Sequence, residues 1–106
     1  MPADLSIVHN EAERRFEYRT DAGLARADYR MRGPNVAFVH TEVPDAMEGK
    51  GVGTALVEAA LAWAREQKLG VIPMCAFFAE YMTRHPETHE LVPAEFKEYL
   101  DPDFGG

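Results

Sequence analysis

The chain has 106 residues, 46% of them hydrophobic and 27% charged, with 18 acidic and 11 basic side chains giving a net charge of −7. That length holds one core, and the balance of residue types is that of a soluble globular domain, so disordered, collagen-like and low-complexity chains are excluded. No stretch is basic enough to follow a phosphate backbone, which argues against nucleic acid, whereas the acidic balance favours a small cationic substrate.

Residues 5–8 are expected to form a short first strand. Over residues 12–20, Phe16 and Tyr18 alternate with Glu13, Arg15, Glu17 and Arg19, and Asp21-Ala22-Gly23 supplies turn chemistry. Residues 24–32 repeat the pattern, with Ala25, Ala27, Tyr29 and Met31 opposite Arg26, Asp28, Arg30 and Arg32. Together they predict an antiparallel hairpin whose charged stripe is solvated cross-strand pairing. After Gly33-Pro34-Asn35, residues 36–43 are more continuously apolar, as in a strand covered on both faces.

Residues 51–68 change to helical periodicity, with Val52, Leu56, Ala60 and Ala64 four apart and Gly70 as a stop. Val71-Ile72-Pro73-Met74-Cys75 is a short strand whose proline suggests an edge or a splayed position. Residues 76–84 predict a second helix ended by Pro86, and residues 93–100 a third with Pro93 in its first turn. The last six residues are expected to fray. This order describes a single α+β domain over residues 1–106, with a core at about residues 5–86 and a C-terminal helix and tail at 87–106.

Gly49, Gly51 and Gly53 stand at alternate positions just ahead of the striped helix. Glycine is unfavourable inside a helix by about 1 kcal/mol relative to alanine, so three together need a reason. One is a pyrophosphate cradle built from the backbone N–H groups of residues 49–54, with Lys50 adding charge; the other is tight helix–sheet packing. A P-loop is excluded for want of Gly-x4-Gly-Lys-Ser/Thr. A dinucleotide fingerprint fits poorly, because Thr54 stands where its third glycine belongs.

The run Glu48-Gly49-Lys50-Gly51-Val52-Gly53-Thr54 resembles the acetyl-coenzyme A binding motif of the GNAT superfamily of N-acetyltransferases, with Gly51 and Gly53 on its glycine positions and Glu48 in place of its Arg or Gln. A short single-domain subfamily of that superfamily resembles the chain more widely, through His40-Thr41-Glu42-Val43, Ile72-Pro73-Met74-Cys75 and Arg84-His85-Pro86. The resemblance implies a GNAT-like fold, acetyl-coenzyme A or coenzyme A as cosubstrate, no metal, and an amine acceptor that is a small molecule or a protein. By the same resemblance, the main chain of Thr41, Glu42 and Val43 would contact the pantetheine arm. The amides of Gly49, Gly51, Val52 and Gly53 would hold the pyrophosphate, beside Lys50 and Thr54, and Arg84 would meet the 3′-phosphate.

Cys75 and His40 are the candidate catalysts. A cysteine at a strand end before a helix is either a small buried hydrophobe or a nucleophile. A histidine in a buried-looking strand is either a hydrogen-bonded core residue or a base, with Glu42 and Glu80 as rival bases. Tyr81 reads as part of a helix packing face, and His85 and His89 are kept from a shared helix by Pro86. The expected activity is N-acetyl transfer, with a non-catalytic coenzyme A binding module as the alternative. The lone cysteine, the absence of an apolar run long enough to span a bilayer, and the start Met1-Pro2-Ala3-Asp4 predict a cytoplasmic protein without membrane partners. It would be a monomer, or a homodimer joined at a sheet edge.

Overall fold

In a computed structural model, residues 6–100 are described, and they build the α+β architecture that the sequence predicts. Five strands lie side by side in chain order: β1 (Val8–Asn10), β2 (Arg15–Thr20), β3 (Gly23–Arg32), β4 (Asn35–Glu42) and β5 (Gly70–Pro73). The first four are antiparallel, and β5 joins β4 in parallel as an edge. A parallel partner needs a crossover, supplied by the 3-10 turn Asp45–Met47 and helix α1 (Val52–Glu66). Helix α2 (Ala76–Thr83) follows β5, and two 3-10 segments, Pro86–Leu91 and Ala94–Leu100, close the described chain.

Both helices cover one face of the sheet. Leu56, Val57, Ala60 and Ala64 of α1 are fully buried against Val36 and Phe38 of β4 and Val71 of β5. Phe38 stacks on Phe78 of α2 with ring centroids 4.3 Å apart. Each such large apolar side chain contributes roughly 1.5–3 kcal/mol by leaving water. The core does not stop near residue 86, because Val92 and Leu100 also join it. Among the described residues no helix is long and apolar enough to cross a membrane.

Three departures from the expected elements have physical causes. The first strand is Val8–Asn10 rather than residues 5–8 (Leu5 lies outside the described residues). Its inward residue is His9, stacked on Phe16 at 4.2 Å, edge-on to Trp63 and hydrogen-bonded from Nε2 to the Tyr29 hydroxyl at 2.7 Å. Residues 12–14 form a turn, in which the Arg14 N–H donates to the Glu11 carbonyl at 3.1 Å and Arg14 takes a φ of +56°. The third helix is the 3-10 segment Ala94–Leu100, preceded by the unforeseen Pro86–Leu91. The expected fraying of the last six residues lies outside the described residues.

The opposite face of the hairpin is charged and cross-paired, with Arg26 bound to Asp28 at 3.1 Å and to Glu42 at 3.2 Å. Glu17 is not solvated there as the alternation implies, being only 7% exposed. Arg15 and the Asn10 amide both donate to its carboxylate. The bond from Arg15 is the main reason its pKa is held below the usual carboxylate value.

Candidate functional site

The site grows from the two halves of β4. Along its whole length β4 pairs with β3, but it pairs with β5 only from Asn35 to Phe38. Pro73, opposite Phe38, has no N–H with which to continue the ladder. The last backbone hydrogen bond of this pairing is the Cys75 N–H donating to the Phe38 carbonyl at 2.9 Å, after which the chain turns into α2. Residues 39–42 therefore have a strand neighbour on one side only.

At the same place β4 carries an extra residue. Tyr29 pairs with Phe38 and Asp28 with His40, so Val39 is bulged out of the ladder. Strand side chains alternate, so one inserted residue exchanges the faces of everything after it. Thr41, opposite the fully buried Ala27, joins the helix-covered face, and His40 goes to the outer face opposite Asp28.

The glycine turn leads into α1 beside this half-paired strand. Gly49 and Gly51 take φ of +81° and +79°, the left-handed region that glycine occupies without penalty. Gly51 is the N-cap of α1 and offers no side-chain cap; the first helical bond runs from the Ala55 N–H to the Gly51 carbonyl at 2.9 Å. The N–H groups of Val52, Gly53 and Thr54 precede that bond and have no acceptor within the helix. A Cβ built on Gly49 meets nothing within 4 Å, so space lies open in front of the turn. Gly53 differs, because a Cβ there would collide with the ring of Phe77 on α2. Its smallness serves helix packing. Lys50 and Glu48 are exposed beside the turn, Thr54 is half-buried and Val52 is buried.

Cys75 is the half-buried N-cap of α2, and its thiol donates to Thr41 Oγ1 at 3.3 Å. That contact reaches across the opening between β4 and β5. His40 is not brought to it: the bulge sends His40 to the outer face, with 54% of its side chain exposed and Nε2 3.6 Å from Glu42 Oε1. The expectation of a buried strand histidine is corrected accordingly. Arg84 also stands apart from the turn. The helices run side by side in one direction, Phe77 meeting Gly53 and the Tyr81 hydroxyl donating to Glu58 Oε2 at 3.1 Å. Exposed Arg84, at the C-cap of α2, therefore lies at the end away from Gly51.

Tyr81 stacks on His85, and burial, with the Glu58 bond second, pushes its pKa up to about 12. His85 and His89 hydrogen-bond to the Tyr81 and Met82 carbonyls, both at 2.7 Å. Among the described residues no three His, Cys, Asp or Glu side chains gather as a metal would require. Glu80 lies on the exposed side of α2. Sequence reasoning missed the Thr41–Cys75 link and the exposed apolar pair Met74 and Phe77 around Cys75, for which the only signal was proximity to that residue.

Residues 15–91 match the family model of the GCN5-related N-acetyl-transferases. The chain is 30% identical over 101 residues to protein NATD1 of Gallus gallus, covering 92% of this chain and 86% of that one. It is 31% identical over 85 residues to protein NATD1 of Homo sapiens, covering 77% and 75%. The NMR solution structure of a GCN5-like protein from Staphylococcus aureus superposes with a TM-score of 0.68 at 28% identity, covering 86% of this chain and 90% of that one. The chain belongs to the GCN5-related N-acetyltransferase family.

Proposed function

We propose that the protein transfers the acetyl group of acetyl-coenzyme A to an amine. The observation that carries this reading is one juxtaposition: the half-paired residues 39–42 of β4 beside an α1 N-terminus that lacks a side-chain cap. When bound, the cosubstrate supplies an acetyl group activated as a thioester. The open space before Gly49, the left-handed turn and the positive end of α1 suit a pyrophosphate. The amides of Gly49, Gly51, Val52, Gly53 and Thr54 would hold it, with Lys50 contributing charge. The main chain of Thr41, Glu42 and Val43 would hold the pantetheine amides. Arg84 takes no part.

An amine attacks only after losing a proton. His40 and Glu42 are the titratable pair on the outer side of the half-paired strand, and they are the groups to receive it. Cys75 lines the opening with its thiol engaged by Thr41, and His40, the other candidate catalyst, is on the other face of the strand, which favours direct attack over acetylation of Cys75. A second reading, coenzyme A binding without turnover, is favoured by the Tyr81 hydroxyl: engaged by Glu58 and with its pKa pushed up to about 12, it is a poor donor of the proton that a departing thiolate takes up.

Two measurements on the purified protein test the proposal. Coenzyme A at about 100 times its dissociation constant should add about 2.7 kcal/mol of stability, read as a rise in Tm. Thiol release from acetyl-coenzyme A should then accelerate when amines are added. A shift without thiol release supports the binding module, and no shift at millimolar coenzyme A removes both readings.

A further inference from the structure

The outer face of the sheet holds a groove of about 450 Å³, within the size range of small-molecule sites. Its lining is richer in arginine than the molecule as a whole. Although the chain carries −7 overall, the groove is lined by Arg14, Arg15, Arg26 and Arg30 against Glu13 and Asp28. Arg15 is neutralised by Glu17, and Arg26 by Asp28 and Glu42. Arg14 and Arg30 form no ion pair among the described residues, and they share the groove with the Glu13 carboxylate, also outside any ion pair, and with Asp28, whose buried Oδ1 has no hydrogen-bond partner.

Arg14 is also held in a costly conformation. Its φ of +56° lies in the left-handed region that side chains with a Cβ rarely adopt. The backbone fixes it there, through the Arg14 N–H to the Glu11 carbonyl at 3.1 Å and the Tyr29 N–H to the Arg14 carbonyl at 3.0 Å. At its other end the groove reaches Val39 and His40, the bulged part of β4, immediately before Thr41 and its contact with Cys75. One end thus offers unpaired cationic donors and the other adjoins the opening between β4 and β5.

We infer that this groove binds the acceptor and that the acceptor is a small molecule bearing an anionic group, carboxylate or phosphate, together with its amine. Arg14 and Arg30 hold the anion, as guanidinium groups do best, and the amine end lies towards His40 and Glu42. The inference rests on the acetyl-transfer reading for its last step only. It adds an anionic group to the cationic substrate that net charge suggests, because Arg14 and Arg30 are guanidinium groups of the lining outside any ion pair, while Asp28 and Glu13 leave carboxylate oxygens for the amine.

Matched amines separate the two ideas. Binding of O-phosphoethanolamine, β-alanine and ethanolamine is measured by NMR titration with and without coenzyme A, and transfer by thiol release from acetyl-coenzyme A. We expect one or both anionic probes to bind at the groove at least about tenfold more tightly than ethanolamine, and the stronger of the two identifies phosphate or carboxylate. Arg14→Gln and Arg30→Gln should each erase that preference, while Arg19→Gln, outside the groove, should keep it. Far-UV circular dichroism checks that each variant folds, and Arg30→Gln stands alone if the strained position 14 does not accept substitution. Equal binding of all three amines, or an equal loss in Arg19→Gln, overturns the inference. Anion-selective binding without any thiol release keeps the groove and removes the transfer reading. Thiol release that favours ethanolamine or a polyamine does the reverse.

Discussion

The two halves of β4 are built for different tasks. From Asn35 to Phe38 the strand has partners on both sides, and Val36, Ala37 and Phe38 are fully buried. From Val39 to Glu42 it keeps one partner, and His40 and Glu42 are exposed. One bulged residue and one proline divide them. The buried half contributes stability through packing, and the half-paired one keeps its backbone available to a ligand. Substitutions should therefore separate along the strand, with large losses of stability on one side of Val39 and losses of binding on the other.

Phe38→Ala should show the largest effect, about 3–5 kcal/mol of destabilisation in denaturant unfolding, because the ring is fully buried against Phe78. A cost below about 1 kcal/mol would break the division. The next effect belongs to the helix that borders the opening. Gly53→Val should cost about 1–3 kcal/mol through overpacking against Phe77, and Phe77→Ala in the same chain should recover most of it. Gly49→Ala meets no atoms, so its cost is the left-handed backbone alone, about 1–2 kcal/mol. If Gly53→Val is not rescued by the smaller neighbour, Gly53 serves something other than helix packing.

In the open half, Cys75→Ala should cost about 1 kcal/mol, the lost bond to Thr41 and a little volume, and leave the transfer rate within about twofold. Acetyl mass mapped to Cys75 after incubation with acetyl-coenzyme A would overturn direct attack. The smallest effect concerns pH. Burial lowers the His9 pKa, so the unfolded chain binds this proton more readily than the folded one below pH ~6.5. The contribution is complete above that pH and declines as pH falls below it. His9→Gln should flatten this part of the profile of Tm against pH, and an unchanged slope would assign it to other groups.

Much of this was legible in residue patterns, because patterns report on local geometry. Alternation in residues 15–32 predicted the β2–β3 hairpin, and the four-residue spacing from Val52 predicted α1. Pro73 marked the place where β5 leaves β4. The bulge at Val39 leaves no trace in the sequence, since Phe38-Val39-His40 alternates no differently whether or not a residue is skipped, and so the pattern alone puts His40 on the buried side. His9 carried no apolar signal because its partial burial depends on Phe16 across the β1–β2 turn and on Tyr29 and Trp63, distant in the chain. The parallel run of the two helices, which takes Arg84 away from the glycine turn, is likewise a tertiary fact.

The most direct measurement is an amide NMR titration of the protein with coenzyme A. The largest shifts should fall on Thr41, Glu42 and Val43 and on residues 49–54, with Arg84 and the buried half of β4 little changed. Shifts centred anywhere else, or none at millimolar coenzyme A, would contradict the assignment of the half-paired strand and the glycine turn as one site.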